Sequence, residues 1–175
     1  MKFKISIWQF FGFGFTSLFG TLLHFLYEWT GKNNFTALFS GVNESTWEHM
    51  KLLFFPLLIF SIIEYYIFGR NETYYWCIKL TGTILGLSSI PVIYYTLNGV
   101  FGKTPDWVNI SIFFIAAALT YFAETLMFKN KVRCRPCSRT RFILLLVIAT
   151  LFFIFTFIPP EINLFKDPIT NTYGI

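Results

Sequence analysis

Hydrophobic residues in this chain fall into five long runs separated by short polar stretches. The runs cover about residues 5–29, 45–68, 72–97, 107–128 and 141–158, and each matches the about 20 apolar residues a helix needs to cross a bilayer. The second is entered by Ser45-Thr46-Trp47-Glu48 and left at Phe68-Gly69; the fifth is stopped by Pro159-Pro160. The pattern predicts an all-α integral membrane protein, a bundle of five transmembrane helices, in one domain over residues 1–175. Met1-Lys2-Phe3-Lys4 and the run behind it resemble a signal peptide, but the run is too long for an h-region and no small-x-small cleavage site follows. It is read as a retained first span.

Polar positions inside the runs carry the second layer of pattern. In the first run Gly12, Thr16, Gly20, His24 and Glu28 recur every four residues. Such residues are neighbours on one helix face, and the stripe drifts by about 40° per step because about 3.6 residues make a turn. Gly82 and Gly86 form a GxxxG in the third run, and Ala116, Thr120 and Glu124 a stripe in the fourth. Small residues at this spacing let helices approach closely. Pro56 interrupts the second run and is expected to kink it. The fifth run has no ionisable residue after Arg141 and is expected to be the most lipid-exposed helix.

Composition agrees: 55% of residues are hydrophobic and 13% charged, against about a quarter charged in soluble domains. Mean hydropathy is +0.58. The net charge of +5 matters less than its placement, since six of fourteen basic residues, Lys129, Lys131, Arg133, Arg135, Arg139 and Arg141, share one loop. Between two spans such a loop reads as a topology signal and a contact for anionic lipid headgroups, not as a nucleic-acid surface. Lys2, Lys4, Arg70 and this loop fall on one side of the bilayer; Lys32, Lys103 and Lys166 fall on the other. The positive-inside rule then places the N-terminus inside and the C-terminus outside, in a multi-pass protein of the cell membrane.

Ionisable residues in and beside the spans divide by depth. Glu64, Lys79 and Glu124 lie toward the inner ends of three runs and are expected to cluster, with Lys79 pairing one or both carboxylates. Such a cluster is either a structural ion pair between helices or a proton or cation relay. His24, Glu28, Glu44, Glu48 and His49 lie toward the outer end. Ser45-x-x-Glu48 fits a capping box, with Glu48 reaching back to the Ser45 amide, and Trp47 suits the interfacial aromatic belt. Capping does not account for His49, nor for His24 and Glu28 at the same depth on another helix. Imidazole and carboxylate are the usual ligands of Zn²⁺ and related divalent metals, which makes His24, His49 and Glu48 a candidate ligand set. Cys134-Arg135-Pro136-Cys137 is a CxxC among basic residues, either a redox pair approached by Cys77 or an inert reduced loop. The N-x-S/T triplets at Asn34, Asn43, Asn71 and Asn109 matter only in a eukaryotic secretory pathway. The richness in Phe, Ile, Lys and Asn reads as bacterial.

The segments GTLLHFLYEWTG and FSGVNESTWEHMKLLFFP, within residues 20–56, resemble a family of small uncharacterised multi-pass membrane proteins of low-GC Gram-positive bacteria. The resemblance implies a bacterial membrane setting and assigns no activity, cofactor or residue role.

Three functional readings follow from the residues. The first is a polar pocket among helices one to four that binds or moves a metal ion or small solute. Five spans without an inverted repeat are few for a transporter, so a homo-oligomer or partner subunit is expected with it. The second is a metal-assisted membrane hydrolase acting on a lipid or lipid-linked substrate at the outer leaflet, with His24 and His49 as ligands and Glu48 or Glu28 as base. The third is a non-catalytic accessory subunit in which every polar group is structural.

Overall fold

The structure, a computed structural model, describes residues 2–132 and 138–175. Its helices are α1 (Lys2–Trp29), α2 (Asn34–Ala37), α3 (Thr46–Ile67), α4 (Tyr75–Phe101), α5 (Asp106–Lys129) and α6 (Ser138–Phe157), with a 3-10 turn at Gly69–Asn71. No strand occurs among the described residues, which hold only an isolated antiparallel bridge between Lys166 and Tyr173. Five helices are long and apolar enough to cross a membrane: Ile5–Trp29, Thr46–Ile67, Tyr75–Phe101, Trp107–Lys129 and Arg139–Phe157. Cys134 and Cys137, expected as a redox pair, lie outside the described residues, as do Arg133 and Arg135 of the basic loop.

The predicted runs and these spans agree closely, except at the end of α4. The third run ends at about residue 97, and the helix continues to Phe101. Asn98 Nδ2 donates to the Tyr94 carbonyl at 2.9 Å, and its Oδ1 accepts from the Thr104 amide at 3.0 Å. The asparagine thus ties the helix to the connection that follows. The chain turns at Gly102, whose φ of +76° suits glycine.

α1, α3, α4 and α5 form a ring of neighbouring helices closed by the α1–α5 contact, and α6 packs outside it against α3 and α4. Consecutive spans run in opposite directions: Gln9 of α1 meets Glu64 of α3, and Lys79 of α4 meets Glu124 of α5. Glycines sit where the ring is tightest. A methyl group on Gly12 would overlap Tyr121 and Phe60, one on Gly20 would overlap Phe113, and one on Gly86 would overlap Thr120. The small-residue stripes are therefore packing faces. Pro56 and Pro91 lie inside α3 and α4, and both helices continue through them. α6 shares its exposed position with α1: each buries 22% of its span, against 61% for the central α3. α1 reaches this exposure because its long partners are only α3 and α5, on one edge of the ring.

The chain after α6 folds back over the start of α3. The Trp47 amide donates to the Leu164 carbonyl at 3.0 Å, and Asn43 Nδ2 donates to the Gly174 carbonyl at 2.9 Å. Trp47 packs between Phe152 and Phe165, at 4.5 and 4.7 Å between ring centroids. It anchors the tail.

Candidate functional site

Three groups of ionisable side chains stand at two depths of the bundle. The deepest is the expected cluster of Glu64, Lys79 and Glu124. Lys79 Nζ lies 2.8 Å from Glu64 Oε2 and 2.5 Å from Glu124 Oε2, and all three side chains are inaccessible to solvent. Gln9 Nε2 donates to Glu64 Oε1 at 2.6 Å, and the Tyr75 hydroxyl donates to Glu64 Oε2 at 2.9 Å. Beside them the Tyr121 hydroxyl meets Thr16 Oγ1 at 2.7 Å. Buried charges need partners of this kind, since an unpaired ion in a low-dielectric interior costs several kcal/mol. The group joins α1, α3 and α4 directly and reaches α5 through Glu124.

A second buried pair lies near the opposite end of the bundle. Glu48 Oε2 is 2.5 Å from Lys51 Nζ, one turn along α3, with side-chain exposures of 2% and 0%. Lys51 also donates to the Ala37 carbonyl at 2.8 Å and to Thr156 Oγ1 at 2.9 Å, so it clamps α2, α3 and α6. Half of the expected capping box forms. Ser45 Oγ accepts from the Glu48 amide at 3.3 Å. The Glu48 carboxylate, however, takes the Val42 amide at 3.1 Å, while the Ser45 amide donates to Asn43 Oδ1 at 2.9 Å. Glu48 is thus spent on Lys51 and the loop, away from the histidines.

The third group is His24 of α1, Glu44 of the α2–α3 connection and His49 of α3. One ligand atom from each lies within 4.8 Å of the others. His24 Nε2 is 3.7 Å from Glu44 Oε1, and His49 Nε2 is 3.5 Å from Glu44 Oε2. His49 Nδ1 is 2.9 Å from the Ser45 carbonyl, four residues earlier. A carbonyl only accepts, so Nδ1 carries the proton and Nε2 turns toward Glu44. A carboxylate and an imidazole lone pair facing each other call for a positive charge between them, either a second proton on His49 or a metal ion. Hydrogen bonding of the far nitrogen to a backbone carbonyl is the arrangement that orients metal-bound histidines. Glu28, expected in this group, lies apart from it. It pairs with Lys32 at 3.4 Å on the surface, both side chains about two-thirds exposed. The drift of the four-residue stripe rotates it off the packed face one turn beyond His24.

A cavity of about 500 Å³ opens beside the three residues. His24, Glu44 and His49 line one part of it; Leu52, Phe113 and Phe114 line much of the rest. A smaller recess on Tyr94 and Ile90 shares Glu44, His49 and Asn109 with it. These polar groups stand together on the wall of a largely apolar hollow between α1 and α5, bordered also by α3, where Thr21 and Asn109 are the other polar side chains.

A family model matches the chain over residues 1–175. The chain belongs to the family of unknown function DUF6512. No curated protein and no solved structure matches it. For this DUF6512 member the functional reading therefore rests on its own geometry. Sequence reasoning found Glu64, Lys79 and Glu124 as a cluster and placed His24, Glu28, Glu44, Glu48 and His49 at one depth, but it chose Glu48 as the third prospective ligand, where the structure brings Glu44 to the two histidines and holds Glu48 on Lys51. It gave no role to Lys51, which looks interfacial from the start of the second run. A signal was available: Glu48 and Lys51 are three residues apart and so share a helix face.

Proposed function

We propose that this DUF6512 protein binds a divalent metal ion, Zn²⁺ or a related ion, through His24, Glu44 and His49, at the polar end of the cavity between α1 and α5. The observation that carries the reading is the convergence of two imidazoles and one carboxylate from three separate segments within 4.8 Å. Zinc bonds of about 2.0–2.2 Å would hold neighbouring ligand atoms about 3.4 Å apart. The carboxylate–imidazole distances of 3.7 and 3.5 Å already approach that spacing. Two histidines and one carboxylate also leave a coordination position for a ligand, as open zinc sites do.

Binding is favoured over hydrolysis by where the other carboxylates go. Glu28 and Glu48, the two expected bases, are held by Lys32 and Lys51. Movement of an ion through the bundle gains no support from the inner group, since Glu64, Lys79 and Glu124 are closed from solvent and absent from the lining of the described cavities. The inner group reads as a structural ion cluster. The setting we propose is a bacterial cell membrane, N-terminus inside, with the loop at residues 129–141 against anionic lipid headgroups. A homo-oligomer is compatible with this arrangement.

The test is the metal content of detergent-purified protein by elemental mass spectrometry. Wild type and Glu28→Gln should each carry about one equivalent of divalent metal, and affinity should fall about 10- to 100-fold or more in His24→Ala, Glu44→Gln and His49→Ala. Equal metal in all five proteins, or none in a wild type loaded with Zn²⁺, contradicts the reading.

A further inference from the structure

We propose that the metal held by His24, Glu44 and His49 takes the acidic headgroup of a single-chain amphiphile whose tail occupies the cavity between α1 and α5. The inference rests on the metal-binding reading above and names the ligand that completes it. Three features of the cavity point to such a ligand.

The first is polarity. The three prospective ligands lie at one part of the wall, and Phe25, Leu52, Phe113 and Phe114 supply apolar surface beyond them. A pocket that is mostly apolar with a few convergent polar groups takes a ligand with an apolar body and one polar end. The second is position. The wall is drawn mainly from three membrane-length helices, α1, α3 and α5, and Phe25 and Ile110 on it are 46% and 59% exposed. Its outward-facing side therefore meets acyl chains in the membrane. The volume of about 500 Å³ corresponds to about 17 groups of the roughly 30 Å³ that one water occupies, which matches one acyl chain better than two.

The third feature is charge. A divalent ion on two neutral imidazoles and one carboxylate leaves the site with one positive charge in excess. In a low-dielectric wall that charge draws an anion, and a carboxylate or phosphate oxygen can also fill the open coordination position. A neutral headgroup would do neither as well.

Oleate tests this on the full-length protein in detergent. Zinc stoichiometry is read first by elemental mass spectrometry, and bound lipid is then read by native mass spectrometry. Methyl oleate supplies the tail without the charge, and acetate supplies the headgroup without the tail. One oleate per chain is expected on the zinc-loaded wild type, with methyl oleate and acetate each weaker by about tenfold or more. Removing zinc, or Glu44→Gln, should weaken oleate by a similar factor. Thr21→Trp, which fills the cavity from α1, should keep zinc and lose oleate. Ile110→Trp fills it from α5 and serves if the first variant elutes as aggregate. Zinc bound without oleate, methyl oleate bound as well as oleate, or oleate held equally by zinc-free protein and both filled variants, overturns this proposal and leaves the metal reading standing. Absence of zinc from the loaded wild type overturns both.

Discussion

His49 shows how much depends on a single side-chain nitrogen. Its Nδ1 is committed to the Ser45 carbonyl, so only Nε2 remains to meet Glu44 and His24. Neighbouring carboxylates that look alike in sequence have unlike tasks. Glu44 is partly exposed and faces two imidazoles; Glu48 is buried on Lys51; Glu28 is on the surface with Lys32. Their substitutions should separate accordingly. Glu48→Gln strands a buried lysine and should cost about 3–5 kcal/mol of stability. Glu28→Gln breaks an exposed pair and should stay within about 0.5 kcal/mol. Chemical unfolding in a fixed detergent checks both, and equal losses would contradict the assignment. The sequence placed Glu44 and Glu48 at the same depth without separating them. What separates them is the path of the connection after α2, where Ser40 Oγ bonds the Leu23 carbonyl and the Tyr27 amide donates to Ser40 Oγ at 2.9 Å. Contacts between residues this far apart leave no periodic trace in the chain.

Helices as elements were largely readable, because a run of apolar residues long enough to cross a bilayer has few other uses. The pairing of elements was readable only where small or charged residues marked it. α4 and α5 meet through Gly82 and Gly86 on one side and Thr120 and Glu124 on the other. A β-branched residue at Gly86 should force them apart, and Gly86→Val is expected to cost about 1–3 kcal/mol or more by overpacking. The ion cluster should behave as one unit. Lys79→Met leaves Glu64 and Glu124 buried without their cation, at a cost of about 3–5 kcal/mol. Combining it with Glu64→Gln and Glu124→Gln should recover part of that loss, because removing all the charges is milder than removing one. A triple variant less stable than Lys79→Met would point to a role for the carboxylates beyond pairing with the lysine. The tail after α6 was not legible at all. It lacks periodicity, and its place over Trp47 depends on the Phe165 ring, the Trp47 amide bond to the Leu164 carbonyl and the Asn43 side-chain bond to the Gly174 carbonyl.

In the whole molecule, polarity is inverted relative to a soluble bundle. Charges are gathered inside at two depths, while many aromatic and aliphatic side chains, among them Phe10, Phe122 and Val147, face outward. An apolar exterior costs little where the surroundings are lipid, and polar groups inside it must satisfy one another. On the positive-inside reading, the proposed metal site would face outward. Single cysteines introduced at Gly31 or Asn171, in a background without the native ones, should react with a membrane-impermeant maleimide in intact cells. Reaction only after permeabilisation would reverse the orientation. The central claim is the coordination of a metal by two histidines and a carboxylate. X-ray absorption spectroscopy of the zinc-loaded protein addresses it directly. The account predicts nitrogen and oxygen scatterers at about 2.0–2.1 Å with the outer-shell signature of two imidazoles, reduced to one imidazole in His49→Ala. A spectrum without imidazole scattering, or one unchanged by His49→Ala, would contradict it.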